Sequence, residues 1–318
     1  GEKGGRQVEV NANGQVVRVL KKVSAVPGHN LYLTIDFDLQ RKMEKLLAGR
    51  AGAAVALDPF SGEVLAMVSS PAFNQNDFVD GLSRDKWRSL MENPYHPMEN
   101  KSLQGEYPPG SVYKIVTAIA ALEEAAIDPE TTIYCPGYYK YGRRVFRCWA
   151  RQGHGRMNMV DALARSCDVY FYQVGEKVGV ERLAWYAKAC GLGRPTGIEL
   201  SFEDDGIVPT KEWKQKQLRQ PWLSGETLNV AIGQGYNLVT PLQMAVLIAA
   251  VANGGHIKQP IVLKRVETVE GKQIYRARQE TRGQLPASEQ TMAILRQGLW
   301  DVVNDRHGTA YWAVRSRT

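Results

Sequence analysis

Apolar positions along this chain recur in short alternating runs and in longer helical stretches, without a regular strand-helix rotation. Leu31, Leu33 and Ile35 alternate into Asp36, and Leu39, Met43, Leu46 and Leu47 then recur at helical spacing, which predicts a strand handing over to a helix. Residues 53–57 and 64–68 read as two strands joined by a turn rich in Asp, Pro, Ser and Gly. Residues 111–126 are almost all apolar and follow Pro108, Pro109 and Gly110, so they predict a helix buried on most sides. A second buried helix is predicted from Pro241 to about Val251, capped by Thr240 and stopped by Asn253, Gly254 and Gly255. Residues 261–269 and 273–277 form a further predicted hairpin, and 288–303 a further helix. Strands and helices in such runs point to an α+β domain.

Residues 1–30 are polar and Gly-rich. Their one alternating stretch, residues 8–19, is broken by Asn11, Asn13 and Gly14, which predicts a hairpin or an extended linker ending near Pro27 and Gly28. The expected division is therefore 1–30 as a linker or remnant of a preceding segment, and 31–318 as the main domain.

With 318 residues, 44% apolar and 23% charged, the composition is that of a globular protein and excludes wholesale disorder or a disulfide-stapled miniature. No apolar run approaches the roughly 18 residues that a spanning helix needs. The start at Gly1 lacks both an initiator Met and an export signal, so any anchor is expected upstream. The formal charge of +7 weakly favours anionic partners such as headgroups, wall polymer or nucleic acid.

Ser111 and Lys114 spell S-x-x-K, a spacing that places the amine one helical turn above the hydroxyl. A serine hydroxyl becomes a competent nucleophile when a neighbouring base takes its proton, and a desolvated lysine can be that base. The motif alone is weak: Ser83 and Lys86 match it too, but in a polar stretch where Ser83 reads as a helix cap. Ser111 read in isolation is open to the same bland explanation.

The flanks carry more. Gly62-Glu63-Val64-Leu65-Ala66-Met67-Val68-Ser69 with Pro71, Phe73 and Asn74, then Tyr107-Pro108-Pro109-Gly110-Ser111, then Gly233-Gln234-Gly235 with Thr240-Pro241-Leu242-Gln243-Met244-Ala245, resemble the transpeptidase domain of class B penicillin-binding proteins. Residues 168–173 and the Leu31-Tyr32-Leu33-Thr34-Ile35-Asp36 opening resemble the elongation-type branch, penicillin-binding protein 2. The resemblance implies a penicillin-binding serine transpeptidase fold, with a five-stranded antiparallel sheet flanked by helices. It also implies cross-linking of peptidoglycan stem peptides through an acyl-enzyme on Ser111, with Lys114 as base and β-lactams acylating the same serine. The implied setting is the periplasmic face of the bacterial inner membrane, beside a glycan polymerase and other elongation-complex proteins.

The family's second motif, S-x-N or S-x-D, is matched by Ser166 and Asp168 around Cys167 at an expected helix junction; alone, both also read as capping residues. The third, K-[ST]-G, is expected a dozen or so residues after Gly308-Thr309-Ala310 and does not occur in the sequence. Without its strand, the chain as written is expected to lack part of its sheet and to be a weak or dead catalyst, as a truncated product would be.

Cys135, Cys148, His154 and Cys167 follow the spacing C-x12-C-x5-H-x12-C, which fits no common zinc-finger pattern. As a Cys3His set they nevertheless make a closed tetrahedral shell, the signature of structural rather than catalytic Zn2+. Some elongation-type relatives are similar, with ligands in the loop after the nucleophile helix and in the middle of the second motif. The rival is a disulfide, since the expected compartment is oxidising and Cys190 makes the count even; Cys190 itself reads as a buried core thiol. No organic cofactor is expected. Residues 138–156 also hold Lys140, Arg143, Arg144, Arg147, Arg151 and Arg156, with Tyr139, Tyr141, Phe146 and Trp149 between them and no acid. That pattern supports a zinc-stabilised nucleic-acid module as a minor alternative, with no nucleic acid as the expectation. A non-catalytic β-lactam sensor or wall-peptide scaffold is the other.

Overall fold

The computed structural model describes residues 1–79 and 81–315. At the N-terminus β1 (Gly5–Val10) and β2 (Val16–Val23) pair as an exposed antiparallel hairpin, so the first of the two readings of this region holds. Asn11 sets its turn by accepting from the backbone N–H groups of Asn13 and Gln15. The chain then enters β3 (Asn30–Leu33) and α1 (Phe37–Leu47), where Asp36 caps the helix by accepting from Leu39 N–H. The hairpin of β4 (Gly52–Leu57) and β5 (Val64–Ser70) follows as the pattern requires, its turn fixed by Asp58 Oδ1 accepting from Phe60 and Ser61 N–H. Those bonds, the one from Ser61 first, hold the Asp58 carboxyl below its ordinary pKa. In α2 (Arg84–Met91) Ser83 is the N-cap, accepting from Lys86 N–H at 3.3 Å, so the second S-x-x-K match is a capping turn.

The middle of the chain is α3 (Lys114–Glu123), β6 (Ile133–Cys135), β7 (Tyr138–Tyr141), β8 (Arg144–Arg147), β9 (Gly155–Met157), α4 (Met159–Ala164), α5 (Asp168–Val178), α6 (Val180–Ala189), α7 (Lys211–Leu218) and α8 (Ser224–Ala231). The remainder is α9 (Pro241–Ala252), β10 (His256–Lys258), β11 (Leu263–Glu267), β12 (Gln273–Arg276), β13 (Thr281–Gln284), α10 (Glu289–Asn304) and α11 (Tyr311–Arg315). Ser316 to Thr318, the end of the expected domain, lie outside the described residues.

α3 forms the centre. Ile115, Val116, Ala118, Ile119, Ala120 and Ala121 are all buried, against α5, α6 and α10. At roughly 1.5–3 kcal/mol for each large aliphatic side chain removed from water, this burial fixes α3 more strongly than helix propensity does. Thr117 adds a tie by donating its hydroxyl to Ala231 O at 2.8 Å. α9 carries a full capping box, Thr240 accepting from Gln243 N–H while the Gln243 side chain accepts from Thr240 N–H, with Pro241 at the first position.

The fold is α+β. The five-stranded sheet expected from the resemblance is not present as one ladder: among the described residues the antiparallel strands form one three-stranded sheet, β12-β11-β3, and two-stranded ribbons. Gln40 of α1 donates to Met67 O and accepts from Met67 N–H, which ties α1 along β5. The β4–β5 hairpin meets the segment leading into β11 through a parallel bridge at Glu63 and Ile261, with Val64 N–H donating to Ile261 O at 2.8 Å, and the Thr34 hydroxyl adds contacts to Val64 O at 2.7 Å and Ile261 O at 2.9 Å. Among the described residues no helix is long and apolar enough to cross a membrane.

Candidate active site and cysteine-histidine cluster

Ser111 lies in a single 3-10 turn, Gly110–Tyr113, which feeds directly into α3; the helix predicted over 111–126 therefore begins as 3-10 and ends at Glu123. Gly110 has a φ of +58° and donates its N–H to Gly233 O at 2.9 Å. A Cβ on Gly233 would meet Gly110 O at 2.2 Å, so the Gly233-Gln234-Gly235 loop packs backbone to backbone under the nucleophile turn. As a first-turn residue, Ser111 has an N–H with no helical acceptor.

Lys114 is buried, its side chain 2% exposed, and its ammonium lies 5.6 Å from the centre of the Phe171 ring. Nζ donates to Asp168 Oδ1 at 2.7 Å, to Ser166 Oγ at 2.9 Å and to Ser166 O at 2.9 Å, which uses all three of its donors. Ser166 Oγ in turn donates to Ser111 Oγ at 2.9 Å. The structure thus brings Ser111, Lys114, Ser166 and Asp168 together, but not as the spacing alone suggests. Lysine and nucleophile are joined through the Ser166 hydroxyl, because the ammonium turns toward the carboxylate and carbonyl that compensate its desolvation.

Ser166 occupies a demanding position. Arg165 is the C-cap of α4, Ser166 has a φ of +52°, Ser166 N–H donates to Leu163 O at 3.1 Å, and Cys167 N–H donates to Ala162 O at 2.9 Å. That pair of bonds is the Schellman C-terminal motif, whose left-handed position normally holds glycine. A serine there costs about 1 kcal/mol of backbone strain. Asp168 begins α5, where a carboxylate favours the positive helix end, and its Oδ2 accepts from Trp149 N–H at 3.0 Å.

Between the two motif residues, Cys167 points into the core and meets Cys135, Cys148 and His154; one ligand atom from each of the four lies within 4.8 Å of all the others. His154 Nδ1 is 3.7 Å from Cys135 Sγ and 3.5 Å from Cys148 Sγ. Tetrahedral zinc with Zn–S near 2.3 Å and Zn–N near 2.05 Å requires S···N separations of about 3.6 Å, so the donor set fits that ion. All four cysteines are free, and Cys190 lies at the end of α6, buried, where desolvation pushes its thiol up to about 12. The hydrogen bond between Cys167 and Cys148 pushes Cys148 toward thiolate and Cys167 the other way.

Residues 52–318 match the penicillin binding protein transpeptidase domain. The chain belongs to the penicillin-binding transpeptidase family. It is 43% identical over 269 residues to the peptidoglycan D,D-transpeptidase MrdA of Haemophilus influenzae, covering 84% of this chain and 41% of that protein. With MrdA of Escherichia coli K12 the identity is 40% over 316 residues, 98% of this chain and 49% of that protein. The chain thus spans about half the length of these relatives or less. Its fold is similar to PBP2 of Pseudomonas aeruginosa in complex with WCK 5153, with a TM-score of 0.81 and 36% identity over 92% of this chain and 63% of that one. The PBP2–MreC complex of Helicobacter pylori gives a TM-score of 0.81 at 35% identity, over 98% of this chain and 57% of that chain.

In this transpeptidase domain two contributors escape a motif-based reading. Trp149 reaches the second motif through a backbone N–H and an indole N–H, and Gly233 supports the nucleophile turn through its carbonyl. Only the glycine spacing of residues 233–235 signals the latter. The aromatics between the cations are largely engaged inside the molecule: Tyr139 donates to Glu176, Phe146 packs edge-on to Tyr172, and Trp149 covers His154. The strain at Ser166 has a measurable consequence. Ser166→Gly relieves about 1 kcal/mol of backbone strain but leaves one buried Lys114 N–H without its acceptor, at about 1–3 kcal/mol, so unfolding stability in urea titration is expected to fall by about 1 kcal/mol; a clear gain would show that the hydroxyl does not help to compensate the buried ammonium.

Proposed function

We propose that this protein is a peptidoglycan D,D-transpeptidase that cross-links stem peptides in cell-wall elongation through an acyl-enzyme on Ser111. The observation that carries the reading is the continuous run from Lys114 Nζ to Ser166 Oγ to Ser111 Oγ, 2.9 Å at each step. Ser111 Oγ attacks the carbonyl of the penultimate D-Ala while its proton passes to Ser166 Oγ, whose own proton passes to Lys114 Nζ. Lys114 must first release one of its three protons, and Asp168 Oδ1 at 2.7 Å is placed to receive it. The C–N bond then breaks as the departing D-Ala amine takes the proton held on Lys114, and an amine of a second strand attacks the Ser111 ester, its proton passing through Lys114 and Ser166 to Ser111 Oγ to restore the hydroxyl. β-Lactams enter the same path, and their amide is replaced by a Ser111 ester.

The setting is read in the same way. The likeness to MrdA proteins and to a PBP2 solved with MreC supports an elongation complex with a glycan polymerase, and an inner-membrane protein facing the periplasm. Cys135, Cys148, His154 and Cys167 are read as the ligands of one Zn2+, supported by their donor chemistry and the S···N separations of 3.5 and 3.7 Å. With all four positions filled by protein, such an ion supplies structure rather than Lewis-acid chemistry.

Incubation of the native protein with benzylpenicillin is expected to give one covalent adduct, mapped by peptide mass to Ser111 and absent from Ser111→Ala. Ser166→Gly, compared with the native protein at a temperature where circular dichroism shows both folded, is expected to slow acylation by about 10²–10⁴-fold. An adduct elsewhere, or none, overturns the reading; acylation without acyl transfer to an amine reassigns the site to a non-catalytic β-lactam binder. Metal analysis of the purified protein is expected to find one zinc per chain, lost in Cys148→Ser; zinc-free protein with an unchanged melting temperature would contradict the metal assignment.

A further inference from the structure

One exposed side chain holds the second motif from outside. Trp149 donates its backbone N–H to Asp168 Oδ2 at 3.0 Å, and its indole N–H to Ser166 O at 3.0 Å and Arg165 O at 3.1 Å. Its ring lies edge-on to His154 with centroids 5.2 Å apart, and in the chain it directly follows Cys148. The side chain is 59% exposed, so burial of its apolar surface does not explain its placement. Its hydrogen bonds do, because they fall on a junction whose backbone is strained.

The left-handed φ of Ser166 is not a conformation that serine favours, and it sets where Oγ points relative to Ser111 and Lys114. Lys114 holds the Ser166 carbonyl from α3. The indole N–H holds the same carbonyl from the segment after β8, which is itself tied to Cys148 and His154. We propose that Trp149 is a positioning residue that locks the Ser166–Asp168 junction in its working geometry and couples the cysteine-histidine cluster to the proton path. The catalytic half of this inference rests on the transpeptidase reading above; the locking of the junction does not.

The test is Trp149→Phe in the native protein. This substitution keeps the backbone N–H and an aromatic ring on His154, and removes only the indole donor. Trp185→Phe is the control, since Trp185 lies on α6, 51% exposed, against Tyr186 and Arg182. Hydrogen exchange by mass spectrometry reads the junction directly, through the Ser166 and Cys167 amides bonded to Leu163 O and Ala162 O. In Trp149→Phe those amides are expected to exchange several-fold faster while the α3 core is unchanged. Acylation by benzylpenicillin is expected to slow about tenfold, the loss that one or two neutral hydrogen bonds would give, with the non-covalent Kd, melting temperature and zinc content kept. Unchanged exchange at residues 163–168 overturns the proposal. So does faster exchange spread through the core with zinc lost, which is a packing role. If the native protein is not acylated at all, the transpeptidase reading fails, and the exchange result still decides whether Trp149 locks the junction.

Discussion

A buried ammonium needs an acceptor for every N–H, and the site is built around how Lys114 meets that need. All three acceptors come from a single junction 52 to 54 residues further along the chain: the Ser166 hydroxyl, the Ser166 carbonyl and the Asp168 carboxylate. α3 and the α4–α5 junction must therefore stay in one register, or a charge is left uncompensated in the core. The apolar packing of α3 against α5, and the tie from Thr117 to Ala231, are what keep that register. The geometry that satisfies the lysine also leaves one Ser166 hydroxyl between Lys114 and Ser111, so the structural solution and the proton path are the same set of bonds.

The junction is also where the fold departs from local preference. A Schellman turn favours glycine, yet Ser166 stands there with its hydroxyl between Lys114 and Ser111. Cys167, one residue on, is fully buried among Cys135, Cys148 and His154, and Asp168 opens α5. Three consecutive residues thus face the Ser111 hydroxyl, the side chains of Cys135, Cys148 and His154, and the buried Lys114. Strain of this kind persists only where the surroundings over-determine it, and here they do so through Lys114 on one side and Trp149 on the other.

Much of the frame is legible in the sequence. Thr240-Pro241 and Ser83 announce helix starts through capping chemistry, and the alternation of 53–57 and 64–68 announces a hairpin, because these signals act within a few residues. The cysteine-histidine set is legible because ligand chemistry belongs to residue types. What the sequence conceals is action at a distance. The Lys114 spacing points to Ser111, whereas a carboxylate more than 50 residues away draws the amine aside. Ser166 reads as an ordinary cap because its left-handed φ leaves no mark in composition. Trp149 reads as one aromatic in a basic segment, since half of what it does is done by a backbone N–H.

The central claim is that the Ser166 hydroxyl carries the proton between Ser111 and Lys114. The direct measurement is the rate constant for acylation of Ser111 by a β-lactam in mixtures of H2O and D2O. If two protons move together through Ser166, the rate falls as a bowed, quadratic function of deuterium fraction. A straight line, the mark of a single proton passing directly from Ser111 to its base, would contradict the account.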